Sequence, residues 1–235
     1  MIVNAREFAG ALKAARLFAS SDETRPHLHC VHLAAIAPSA GAPTLRIVAT
    51  DGHTMWCCEV PARESSADIA RPTPWNASIA DVDQVIAMAK VASELEVLVG
   101  APAVGGTLFK QACERFSPYG AVLPAVVGDH PDAGKLPELD PDYITRACKA
   151  LALYGAGFAP PLLDRGTKQA KKDNRDARLR CMAPPVTWRS AGELDPVVVF
   201  SPRFPSAFAL IMPRRGIESG AAGVQAFVER VRRSA

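Results

Sequence analysis

The chain has 235 residues, 49% hydrophobic and 22% charged, with a formal net charge of +3. That length suits one large domain or two ordinary ones. No run of about 18 apolar residues occurs, which argues against a membrane-spanning helix, and MIVNAREFAGALK lacks the basic start and apolar core of a signal peptide, so the protein is expected to be cytoplasmic.

The mild positive charge permits a polyanionic partner without requiring one. Six cysteines with no C-x-x-C spacing read as reduced, mostly buried thiols. Twenty prolines against 6% aromatic residues suggest short strands and turns instead of a helical bundle.

Residues 4–19 predict a helix, with Asn4 as N-cap and Glu7 completing a capping-box pattern. Phe8, Ala11, Leu12, Ala15, Phe18 and Ala19 share one face, and Arg6, Lys13 and Arg16 the opposite one. Residues 28–36 and 45–60 predict strands, the second broken by Asp51-Gly52. That pair predicts a tight primed hairpin turn with Thr50 and His53 at facing strand ends. Residues 78–93 predict a second helix, capped by Ser78 with Asp81 in its first turn. ELEVLVG (94–100) and GTLFKQACERF (106–116) predict strands.

Residues 125–139, rich in Gly, Pro and Asp, predict an interdomain linker. A helix capped by Asp140, with Pro141 at its first position and Gly155 past its end, follows. Offset by 136 positions, it echoes the first helix: Asn4 matches Asp140, Phe8 matches Ile144, Lys13 matches Lys149 and Phe18 matches Tyr154. Arg146 and Lys149 are expected away from its apolar face. Residues 164–180 carry seven basic residues against three acids and predict a basic loop. PVTWRS, PVVVFSP and SAFALIMP predict three strands, and residues 217–233 a basic amphipathic helix.

The sequence offers starting points for three catalytic chemistries. HLHCVH offers His27, His29, Cys30 and His32 near Asp51 and His53, and an HxH pair on a strand aims both rings to one face. His32 has the wrong parity to join them, so ordinary strand histidines are the stronger reading. No G-x-S-x-G or cysteine–base pattern marks a nucleophile. VGAPAVGG lacks both G-x-G-x-x-G and a P-loop Lys-Ser/Thr. Basic helix faces and a basic loop suit non-specific contact with a phosphate backbone, although from charge alone solvated faces are the stronger reading.

The stretch VATDGHTM, preceded by RPHLHCVHLAA, resembles the middle domain of the bacterial DNA polymerase III β sliding clamp, with its V-A-T-D-G-H-R-L-A hairpin. FSPYGAVLP (116–124) is similar to that family's F-P-D-Y-x-x-V-L-P segment, and FALIMPRR (208–215) to its terminal Y-V-V-M-P-M-R strand. The resemblance covers about 3–215. It implies an α+β fold of DNA clamp-like (processivity-fold) repeats, with antiparallel sheets outside and helices on one face. It implies a middle-domain-like unit at 1–127, a shortened C-terminal-domain-like unit at 128–216 and an extension at 217–235.

It further implies a non-catalytic partner of DNA polymerase, without cofactor or metal, that contacts duplex DNA non-specifically through Arg6, Lys13, Arg16, Lys90, Arg146 and Lys149. A pocket for client peptides would be lined by Leu28, Thr50, Gly52, His53, Met55, Val122, Leu210 and Met212. A clamp loader is a further implied partner. Departures are Thr54-Met55 where the family has Arg-Leu, a proline moved to Pro118, the absence of a match to the family's first domain, and one clear helix where two are expected in the second unit. Two domains per chain imply a homotrimer for a six-domain ring, with a monomer that keeps the pocket as the alternative. The rival functions are a metal-dependent hydrolase built on His27, His29, Asp51 and His53, and a non-ring module competing for clamp clients.

Overall fold

The computed structural model describes residues 1–36, 42–63, 73–123, 139–159, 172, 175–176, 179–181, 186–189 and 196–213. The expected linker, apart from Leu139, and the expected C-terminal helix lie outside these residues. Among the described residues every strand pairing is antiparallel. The strands are β1 (Ile2–Asn4), β2 (Cys30–Ile36), β3 (Thr44–Thr50), β4 (Thr54–Arg63), β5 (Trp75–Ser78), β6 (Glu94–Leu98), β7 (Ala103–Val104), β8 (Thr107–Leu108), β9 (Thr187–Arg189), β10 (Val197–Ser201) and β11 (Phe204–Ile211). One path runs β5-β2-β3-β4-β1-β6-β7-β8. A branch continues from β4 through β11 and β10 to β9. The α+β class, antiparallel sheet and helix-covered face are as expected.

The three longer helices among the described residues are α1 (Ala5–Arg16), α2 (Ile79–Met88) and α3 (Pro141–Phe158). Their starts follow local sequence. Asn4 accepts from the Arg6 and Glu7 N–H groups, Asp140 accepts from Asp142 N–H, and Ser78 and Asp81 form a reciprocal capping box. The end of α3 differs from expectation: Gly155 lies inside it. The helix runs on to Ala159, which is extended (φ −66°, ψ 139°) ahead of Pro160, where the proline ring disfavours helical backbone. The described residues of the expected basic loop, among them Lys172, Arg175 and Arg180, are helical.

Period-two alternation assigns each strand side chain to one of two faces. Trp56, Cys58 and Val60 of β4, Leu45 and Ile47 of β3, and Ala207, Ala209 and Ile211 of β11 join the main core under α1 and α3. Trp56 lies between Phe18, in the turn just past α1, and Tyr154 of α3, at 5.9 and 6.0 Å between ring centres. The Tyr154 hydroxyl donates to Glu59 O at 2.7 Å. Val48, Met55, Cys57, Val198 and Leu210 face the other way and form a smaller apolar cluster beneath Phe116 and Tyr119.

Segment 109–116 is mostly not the expected strand. β8 ends at Leu108, and the chain then follows β5 through mixed bonds. Gln111 Oε1 accepts from Asn76 N–H at 2.7 Å, Ala112 N–H donates to Asn76 O, and Cys113 O accepts from the Asn76 amide. A side-chain amide has taken a place that a ladder would give to backbone.

α1 and α3 approach closely at glycines. A Cβ on Gly10 would lie 3.0 Å from both Gly157 Cα and Leu153 O. Gly10→Leu is therefore expected to lower stability in urea unfolding by about 1–3 kcal/mol through overpacking, despite leucine's better helix propensity. An unchanged midpoint would show that the helices part without cost.

Candidate functional site

The β3–β4 turn is wider than a two-residue hairpin. Thr50 pairs with Met55, so four residues, Asp51 to Thr54, separate the paired ends, Thr54 being the first residue of β4 through its pairing with β11. His53 is thus an exposed loop residue, not the strand-end partner of Thr50. The Asp51 side chain is the reason. Its Oδ1 accepts from His53 N–H at 2.9 Å, Thr54 N–H at 2.7 Å and the Thr54 hydroxyl at 3.0 Å. Thr50 Oγ1 accepts from Gly52 N–H and donates to Thr54 O. Gly52 takes φ +93°, which disfavours any side chain.

Asp51 Oδ2 accepts from Arg146 Nη1 of α3 at 2.5 Å. The Arg146 guanidinium also lies 5.3 Å from the Tyr143 ring centre and 6.0 Å from that of Phe18. Burial alone would raise the Asp51 pKa. The Thr54 and His53 N–H groups and Arg146 outweigh it and hold the carboxyl below the usual carboxylate range. Arg146 was expected away from the apolar face; instead it is partly buried, because this carboxylate and two rings draw it inward.

A cavity of about 280 Å³ opens beside the turn, on the sheet face away from α1 and α3. All the pocket residues expected from sequence line it. Leu28, Met55 and Leu210 form its buried floor, with Thr50 at the edge. Gly52, His53, Val122 and Met212 are more exposed around it. Met212 N–H donates to His53 O at 2.9 Å and so fixes the end of β11 against the turn. Sequence reasoning missed Thr54, Ser117, Pro118, Tyr119 and Ala121 in the lining. Four of these flank Val122 within FSPYGAVLP, so the signal was present in that segment. The wall is held by ring contacts: His32 stacks on Phe116 at 4.7 Å, and Phe116 meets Tyr119 edge-on.

The remaining candidate residues scatter. Lys13, Lys90 and Lys149 are exposed and have no ion-pair partner among the described residues. Arg16 pairs with Asp83 at 2.8 Å, and Arg6 Nε donates to Gly157 O. His27 and His29 lie in the turn before β2, not on a strand. His29 Nδ1 bonds Ser20 O, and His32 Nδ1 bonds Asn76 Oδ1 at 2.7 Å. Among the described residues, no three His, Cys, Asp or Glu side chains are grouped to hold a metal ion. No described helix is long and apolar enough to cross a membrane.

No protein-family model matches the sequence, and no curated protein matches it. Solved structures do. A β sliding clamp of Caulobacter crescentus superposes with a TM-score of 0.60 at 18% identity, covering 92% of this chain and 66% of that one. The DNA polymerase III β subunit of Thermotoga maritima gives 0.58 at 12% identity, covering 92% and 65%. The sliding clamp of Pseudomonas aeruginosa gives 0.56 at 15%, covering 92% and 66%. The fold is that of the bacterial β sliding clamps. The chain spans just under two thirds of the length of these clamps.

On this clamp fold the Asp51–Arg146 contact ties the pocket turn to a helix on the opposite sheet face. Asp51→Asn is expected to cost about 1.5–3 kcal/mol at neutral pH, the range for a hydrogen bond to a charged group. Because the folded pKa is depressed, this stabilisation is present above the ordinary carboxylate value and is lost as pH falls through the folded one. Urea unfolding from pH 7 down to pH 2 checks this. The variant should be less stable at neutrality and lose less on acidification, whereas parallel curves would contradict the account.

Proposed function

We propose that the chain is a clamp-like, non-catalytic replication accessory protein whose pocket takes a short linear peptide from a DNA polymerase or another client. The observation that carries this reading is the convergence of Leu28, Met55, Leu210 and Met212 with the Thr50–His53 turn around one small apolar cavity. A few convergent polar groups around an apolar floor suit side-chain anchors of an extended peptide. Clamps of Bartonella birtlesii and Pseudomonas aeruginosa have been solved bound to griselimycin, which gives the proposal a ready competitor.

Duplex DNA is the second proposed partner, met on the helix side by Lys13, Lys90 and Lys149. Arg6, Arg16 and Arg146 already have intramolecular partners and contribute less. A homotrimer would supply six clamp-like domains for a ring; a monomer would keep only the peptide function. The hydrolase alternative has little support, since both Asp51 oxygens are engaged and the histidines are dispersed.

Fluorescence anisotropy with a synthetic peptide carrying a polymerase clamp-binding motif tests the pocket. Met212→Ala and His53→Ala should each weaken binding, Met212→Ala by about tenfold, in line with about 1.4 kcal/mol of lost apolar contact. Undiminished affinity in both variants would count against the pocket. For duplex DNA, the slope of log affinity against log salt should be about −3, as three phosphate contacts require. Salt-insensitive binding, or none, would remove DNA from the proposal.

A further inference from the structure

Among the described residues, one cysteine pair brings its sulfurs together. Cys30 Sγ at the start of β2 lies 3.8 Å from Cys113 Sγ in the segment that follows β8. The other cysteines lack such a neighbour. Cys57 and Cys58 are consecutive on β4 and point to opposite sheet faces, one into each apolar cluster. The Cys30–Cys113 contact is long-range in sequence, and it is supported from both sides. Cys30 pairs with Ser78 of β5, Ala112 N–H donates to Asn76 O of the same strand, and Asn76 Nδ2 donates to Cys113 O at 3.0 Å. The backbones on either side of the two thiols are therefore fixed.

The thiols also differ in access. Cys30 is fully buried, whereas Cys113 is partly open to solvent. Burial pushes the Cys30 thiol far above its ordinary pKa, and neighbouring Cys113 adds to the rise. An oxidant therefore meets Cys113 first, with Cys30 placed behind it as the resolving thiol.

We propose that Cys30 and Cys113 form an intrachain disulfide on two-electron oxidation by a hydroperoxide, fastening the segment that leads into the pocket wall to β2. The Cys113 thiolate attacks hydrogen peroxide, giving a sulfenic acid and hydroxide. Cys30 gives up its proton as its sulfur attacks the sulfenic sulfur; the S–S bond forms, the S–O bond breaks, and the departing hydroxide takes a proton to leave as water. Two thiols and one peroxide yield one disulfide and two waters. Closing the gap takes the sulfurs about 1.8 Å nearer, to the usual bond length of about 2.05 Å. Three residues beyond Cys113, Phe116 stacks on His32 and opens the Ser117–Val122 wall, so the cross-link secures the base of that wall. None of this depends on what the pocket binds.

The test uses the full chain, purified reduced and treated with one equivalent of hydrogen peroxide. Thiols titrated after denaturation should fall from six to four. Non-reducing peptide mapping should show Cys30 joined to Cys113, and amide exchange across 109–123 should slow and recover with dithiothreitol. Cys113→Ser, at the more exposed position, should retain all five of its thiols. Six remaining thiols in the treated wild type, a disulfide joining any other pair, or sulfinic acid at Cys113 in place of the cross-link would each overturn the proposal.

Discussion

Strand β4 is the constraint on which the rest of the structure depends. One of its edges pairs with β3 from Thr44↔Pro61 to Thr50↔Met55. Its other edge is divided, with β11 along Thr54–Cys58 and β1 at Ala62–Arg63. The N-terminal strand, the hairpin and a strand from more than 140 residues later therefore share one ladder. Because alternate residues of a strand face opposite ways, fixing this register also fixes both sides of the sheet. Trp56 and Cys58 lie under the helices, and Met55 and Cys57 lie on the reverse. A one-residue slip would take Trp56 out of the helix-covered core and turn into it the Glu59 carboxylate, which now accepts from Arg46 on the partner strand.

The two faces serve different ends but are coupled. The helix side carries the large core, with Lys13 exposed on α1 and Lys149 on α3. The reverse side carries the small cluster that floors the pocket, with Met55 and Leu210 directly opposite each other across β4 and β11. Asp51 joins the two. Its backbone bonds shape the pocket turn, and its second oxygen holds Arg146 of α3. The lowered pKa keeps the Asp51 carboxyl ionised, and with it these bonds, across the physiological range.

Much of this was legible in the sequence where the determinant is local. Asn4, Ser78 and Asp140 cap helices through their own side chains, so their positions were readable directly. The pocket lining followed from resemblance in VATDGHTM, FSPYGAVLP and FALIMPRR, and the fold brings those distant segments to one cavity. The failures came where a distant partner decides the outcome. Asp51-Gly52 looks like a two-residue turn until the carboxylate widens it. Arg146 looks like a solvated charge until the β3–β4 turn presents Asp51 and the turn after α1 presents Phe18. Segment 109–116 reads as a strand, but Asn76 and Gln111 bind it in another way. His27 and His29 read as a strand pair, but β2 starts one residue later, at Cys30.

The central claim is that a linear peptide enters the cavity between the turn and the end of β11. Methyl-labelled methionine gives a direct view, because Met55 and Met212 line the cavity whereas Met1 and Met88 belong to the core on the helix side. On titration with a peptide carrying a clamp-binding motif, saturable shifts of the Met55 and Met212 methyl signals are expected, with Met1 and Met88 unmoved. Shifts centred on Met1 or Met88, or no shift at saturating peptide, would contradict it.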